Sequence, residues 1–191
     1  MPAAPKHRPG IINTSVTLFR RNGYAATGLN EIVDESGAPK GSLYYYFPAG
    51  KASIAEAAVE EAGRRVAETL KKLAAECEGT GKLIKAHARL LAGWMRQSGF
   101  RDGCPITTVL LELAPEERKV TEAGRKAYAL RNDILQQKLI ADGFPRRRAE
   151  RLAALCTSAL QGALIQSRVE RSDAPILAAA EELADLLEVA G

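Results

Sequence analysis

Apolar residues recur every three or four positions along almost the whole chain, and alternating runs of strand length are absent, so the pattern predicts an all-α fold. Helices are expected over 10–22, 29–36, 40–47 and 51–77, then a loop at Glu78-Gly79-Thr80-Gly81, then helices over 82–97, 105–113, 116–141, 146–168 and 173–189. Ser98-Gly99, Asp102-Gly103, Ala114-Pro115, Gly143-Phe144-Pro145 and Ser172-Asp173-Ala174-Pro175 punctuate the later junctions. Three short helices therefore precede a long one and a set of longer ones, which predicts a small N-terminal domain over 6–66 and a larger one over 79–191, linked by the helix over 51–77. On that helix Ile54, Ala58, Ala62, Val66, Leu70 and Leu73 form one stripe able to pack against both parts.

Composition narrows the class without naming it. The 191 residues are 46% apolar, rich in Ala and Leu, with a net charge of +4. Residues 1–51 hold six Lys/Arg against three Asp/Glu, and the remainder is nearly balanced at 21 against 20. That asymmetry suits a segment that meets phosphates, although a solvated basic face would give the same count. Cys77, Cys104 and Cys156 are odd in number and widely spaced, which argues against a disulfide framework or a zinc ribbon. No apolar run approaches the roughly 20 residues of a membrane span, and the expectation is a cytoplasmic protein with no membrane partner.

The most informative stretch is 28–47, which reads as helix, tight turn, helix. Thr27 is placed to cap the first helix, Ile32 and Val33 to face inward, and Gly37 to supply the positive φ that ends the helix. Pro39 suits a helix start. In a helix-turn-helix the N-terminal residues of the second helix lie nearest the bases, so small and polar residues are wanted there. Lys40-Gly41-Ser42 meets that demand: Gly41 admits a close approach and Ser42 can donate to a phosphate or base edge. Leu43 and Phe47 would anchor the opposite face. Consecutive helical residues differ by about 100°, so the three tyrosines divide: Tyr44 and Tyr45 toward DNA, Tyr46 with Phe47 toward the core.

Gly-Ala-Pro-Lys-Gly-Ser-Leu-Tyr-Tyr-Tyr-Phe-Pro over 37–48, followed by Lys51, resembles the recognition-helix signature of the TetR (tetracycline-repressor-like) family, and Phe19-Arg20-Arg21-Asn22-Gly23-Tyr24 with Thr27 resembles the passage between that family's first two helices. The resemblance is specific over roughly 8–66. It implies that Thr27, Lys40, Ser42, Tyr44, Tyr45 and Lys51 meet the operator, mostly its backbone. Lys51 opposes the dipole of its own helix, which a bound phosphate would explain and a solvated lysine would not require. Lys6 and Arg8 could add an N-terminal arm. Two departures stand out: Pro39 replaces the family's commoner Ser, and one extra residue separates Phe47-Pro48 from Lys51. The extra residue, with Gly103-Cys104-Pro105, resembles a subgroup associated with drug or aromatic-compound responses.

The larger part is expected to bind a ligand and dimerise. Positions 152, 155, 156, 159, 160, 163 and 164 are all apolar, and Ile176, Ala180, Leu183, Ala184 and Leu187 form a second stripe. An intramolecular core accounts for both. The resemblance implies instead that the last two helices pair with their copies in a homodimer, with Leu152, Ala159, Ala163, Ile176 and Leu183 at the interface. A two-fold dimer also presents two recognition helices to a palindromic double-stranded DNA operator. Trp94, Met95, Leu110, Leu113, Tyr128 and Leu130 are candidates to line a small-molecule site, with plain core packing as the alternative. The helix over 51–77 is then the lever, by family analogy. Arg146-Arg147-Arg148 reads as a solvated or interface patch.

These features imply a ligand-responsive, sequence-specific transcription regulator, a repressor by family habit, that is not an enzyme and needs no cofactor or metal. Two other classes compete. A cysteine hydrolase would need Cys104 and His87 to meet. A protein that coats DNA without choosing sequence needs only phosphate contacts, for which +4 is a small charge.

Overall fold

The computed structural model describes residues 6–188, over which nine helices appear: α1 (Arg8–Asn22), α2 (Leu29–Ser36), α3 (Lys40–Tyr46), α4 (Lys51–Glu76), α5 (Thr80–Gln97), α6 (Pro105–Leu113), α7 (Arg118–Ala141), α8 (Arg146–Glu170) and α9 (Ala174–Glu188). Their ends follow local chemistry. Gly37 adopts φ 63° and closes α2, while Pro39, Pro105 and Pro145 stand at the starts of α3, α6 and α8, where a missing N–H leaves no broken bond. Helix α1 begins two residues before the expected start, because Pro9 fits its first turn, and α5 likewise reaches back to Thr80. The expected end of the last helix at Val189 lies outside the described residues.

The chain folds into two compact units, each built from two separate stretches of sequence. The first combines the chain up to Gly63 with Cys104–Ala127; the second combines Arg64–Gly103 with Tyr128 onward. Helices α4 and α7 thus each contribute one part to each unit, and α6 belongs with the N-terminal helices.

In the first unit, α1 packs against α2, α3 and α6. Phe19, Ile11, Ile32, Leu43, Ile54, Val59 and Ile106 are almost completely buried, each worth about 1.5–3 kcal/mol of apolar burial. Two glycines permit close approach here. A Cβ on Gly63 would lie 2.7 Å from that of Ala127, and one on Gly124 would lie 2.6 Å from the Leu110 methyls. Leu110 is therefore a packing residue that seats α6 against α7.

In the second unit, α5 packs on α9 and α8, and α8 on α9. A Cβ at Gly81 would come within 3.3 Å of the Ala184 carbonyl, so α5 and α9 meet backbone to backbone. Asp142, at the end of α7, accepts the Thr80 N–H (2.5 Å) and O–H (2.6 Å) and pairs with Lys138 at 3.0 Å. Burial opposes charge on this carboxyl, but those bonds outweigh it and hold its pKa below the usual value. The bonds also place a negative group at the N-terminus of α5, where the helix dipole favours it. Asn132 accepts from the Thr157 hydroxyl at 2.7 Å, joining α7 to α8.

Of the residues expected at a dimer interface, Leu152, Ile176 and Leu183 are buried within the single chain, whereas Ala159 and Ala163 line a groove on its surface. The periodic stripe marks this unit's own core. The outer face of α8 and α9 instead presents a shallow groove lined by Ala159, Gly162, Gln166, Pro175 and Ala178, together with exposed Leu155, Ile165 and Leu186. Among the described residues no helix is long and apolar enough to cross a membrane.

Candidate nucleic-acid interface

Helix α3 is seven residues long and divides by face. Leu43 and Phe47 are buried, while Tyr44 is 49% and Tyr45 79% exposed. Lys40 and Gly41 are exposed as well, and Ser42 is half-buried. Four of the residues expected to meet an operator, Lys40, Gly41, Tyr44 and Tyr45, thus share an open surface with Ser42 beside them. Tyr45 also stacks edge-on to Tyr46, ring centres 5.1 Å apart. Gly41 is instructive because a Cβ there would touch nothing within 4 Å. Glycine inside a helix costs about 0.5–1 kcal/mol relative to alanine, and the fold gives no reason for it. The room it leaves lies on the outside.

Thr27 does not fit the expectation. Its side chain is fully buried, and its hydroxyl donates to the Gly23 carbonyl at 2.8 Å. It neither caps α2 nor reaches solvent. Gly28 takes the cap position, and the Glu31 carboxylate accepts the Gly28 N–H at 3.2 Å, so the local preference for threonine as a cap yields to the need to close the 23–27 turn. Lys51 is engaged within the protein: its ammonium donates to the Ala25 carbonyl at 3.2 Å and lies 4.3 Å from the centre of the Tyr24 ring. Burial lowers its pKa, with Glu112 and Glu31 acting in the opposite direction. Arg8 sits over the Phe47 ring at 5.5 Å rather than in a free arm, and Lys6 is exposed.

Sequence reasoning missed Glu112. From the middle of α6 its carboxylate accepts the backbone N–H groups of Tyr24 and Ala25, both at 2.7 Å. It ties α6 to the turn between α1 and α2 across 88 residues of sequence, a separation no local pattern could signal. The tie also fixes Gly23, whose φ of 85° with ψ of 172° is accessible essentially to glycine alone and whose Cβ would stand 2.5 Å from a Glu112 oxygen. Glu112, Lys51, Tyr24 and Thr27 together set the turn that positions α2 and α3.

The candidate ligand residues do not gather into one group within either unit. Trp94, Met95, Tyr128 and Leu130 belong to the second unit, with Met95 buried and Trp94 45% exposed, whereas Leu110 and Leu113 belong to the first. Cys104 and His87 are likewise in different units. Burial, then the nearby Arg131 charge, pushes the His87 pKa down to about 4, and burial pushes the Cys156 thiol up to about 12. Among the described residues no group of His, Cys, Asp and Glu could hold a metal ion.

Residues 11–58 match the family model for bacterial regulatory proteins of the tetR family, and residues 81–182 match the model for the C-terminal domain of LmrA/YxaF-like transcriptional regulators. The chain belongs to the TetR family. An uncharacterised HTH-type transcriptional regulator of Mycobacterium tuberculosis is 35% identical over 185 residues, 94% of this chain and 93% of its own length. The HTH-type transcriptional regulator LmrA of Bacillus subtilis is 29% identical over 181 residues, covering 95% and 96%. A TetR transcriptional regulator from Chloroflexus aurantiacus, 25% identical, superposes with a TM-score of 0.81 over 99% of this chain and 98% of its own. A regulatory protein TetR from Rhodobacter sphaeroides has the same fold, with a TM-score of 0.83 at 20% identity over 94% and 97%. This TetR-family chain is a transcription regulator with a DNA-binding helix-turn-helix, not an enzyme, and α2 with α3 is that motif.

Proposed function

We propose that this regulator binds a palindromic operator as a homodimer in the cytoplasm and releases it when a small apolar or aromatic effector occupies the C-terminal domain. The observation that carries the DNA reading is the split face of α3: Tyr44, Tyr45 and an unobstructed Gly41 stand outside while Leu43 and Phe47 hold the helix from within. Lys40 and the half-buried Ser42 supply donors for phosphate or base edges. The groove along α8 and α9, with its small residues, is the surface offered to a second copy. Two recognition helices about 34 Å apart would then meet successive turns of the major groove.

Release requires an effector that binds better to a conformation in which the heads no longer match the operator. Glu112 supplies a route for that signal. A shift of α6 would withdraw the carboxylate from the Tyr24 and Ala25 N–H groups and free the turn that positions α2 and α3. This adds α6 to the long helix α4 as a lever. That the same fold can hold a small molecule with an apolar chain is supported by FadR of Bacillus subtilis, solved in complex with stearoyl-CoA, which has a TM-score of 0.64 to this chain. Repression is the mode assigned here, since displacement from an operator is the simplest consequence of misplaced heads.

Footprinting on the DNA beside the protein's own gene, with scrambled DNA at the same salt, tests the proposal. Protection of one palindrome by one dimer is expected. Equal affinity for both DNAs would favour a coating protein that reads phosphates alone.

A further inference from the structure

Charged side chains of the second unit differ in how fully they are matched. Asp142 receives Thr80 and Lys138. Arg131, on α7 in the second unit, is only 5% exposed, yet its Nε has no hydrogen-bond partner among the described residues. What lies near it is the Tyr128 ring, 5.9 Å from the guanidinium carbon, and the buried His87. Neither is an anion. A guanidinium cannot escape by losing its proton as a lysine does, so the buried Nε–H stays an unsatisfied donor. A buried donor left open in this way can take an acceptor from outside the protein.

We propose that Arg131 binds the anionic group of the effector, so that the effector is an organic acid, a carboxylate on an apolar or aromatic body, and not a neutral compound. This rests on the effector reading above and narrows it. The guanidinium fork matches a carboxylate through two parallel N–H bonds, and a carboxylate in that position would neutralise the buried charge. His87 completes the recognition. Burial and the Arg131 charge both push its pKa down, so the imidazole is neutral and offers one N–H donor without adding a second positive charge. The Tyr128 ring beside the guanidinium gives the apolar part of such a ligand an aromatic wall.

The full chain is tested by thermal unfolding and operator binding with two matched pairs of probes, benzoate against benzamide and 2-naphthoate against 2-naphthamide, at equal ionic strength. At least one carboxylate is expected to raise Tm and weaken operator binding, with its amide about tenfold less effective, the usual weight of one charge-assisted pair. Arg131→Met is expected to lose that response and, free of ligand, to melt about 4 °C above the wild type, since an unpaired buried charge is replaced by a side chain of similar length. Arg131→Lys keeps the charge, loses the fork, and binds the carboxylate more weakly while folding normally. Amides as effective as acids, an undiminished response in Arg131→Met, or no response to either carboxylate would overturn the proposal. If a neutral compound releases the operator, the effector reading survives and only the anionic assignment falls; if no operator is bound in the absence of any compound, it is the proposed release of the operator by an effector that fails.

Discussion

In the first unit the Glu112 carboxylate accepts two backbone N–H groups at 2.7 Å, and beside this tie the Tyr45 side chain is exposed on the outer face of α3. In the second unit the Arg131 guanidinium and the His87 imidazole are both buried, and the Nε of Arg131 has no partner. The contrast separates two ways of preparing for a ligand. A surface that reads DNA needs a well-satisfied scaffold beneath it, because each phosphate and base contact depends on register. A site for a small molecule can leave its strongest donor unpaired until the ligand arrives.

The second unit is open to the largest test. His87 carries a pKa near 4 in the folded chain against 6.5 unfolded. Between those values the unfolded state binds a proton that the folded state refuses, so stability falls as pH drops from 6.5 to 4 and is level above. At about 1.4 kcal/mol per pH unit the full loss is about 3 kcal/mol. Urea unfolding at pH 7 and pH 4.5 should show most of it, and His87→Leu should flatten the slope. An unchanged slope in that variant would mean that other groups carry the acid response.

The scaffold of the first unit comes next. Gly23→Ala forces a side chain into a backbone region closed to it and against Glu112, and should cost about 2 kcal/mol or more in denaturant unfolding. Glu112→Ala removes two charge-assisted bonds, should cost about 1–2 kcal/mol, and should weaken operator binding although the residue is on α6 and touches no DNA. Normal operator affinity in Glu112→Ala would remove α6 from the signal route and leave α4 alone.

The two regions also differ in how much the sequence disclosed. Elements set by local chemistry were legible: α2 ends at Gly37 and α6 begins at Pro105, both as expected, because a left-handed residue and a missing N–H are decided within a few positions. The exposed face of α3 followed from the 100° step between residues. Thr27 went astray because a capping preference is only one use of a hydroxyl, and the Gly23 carbonyl was the nearer partner. The apolar stripes of α8 and α9 were located correctly, but periodicity does not say whether the face meets the same chain or a copy, and Leu152 and Ile176 meet the same chain. Glu112 and Arg131 were illegible for one reason: their roles depend on elements brought together from distant parts of the chain.

The smallest energetic effect gives the most direct test of the central claim, that the outer face of α3 is shaped for DNA and not for the fold. Gly41→Ala should be measured for unfolding free energy and for affinity to the footprinted operator in parallel. The account predicts opposite signs: a gain in stability of about 0.5–1 kcal/mol, since the added methyl meets nothing in the protein, together with weaker operator binding. A variant that gained stability and bound the operator as tightly as the wild type would contradict it.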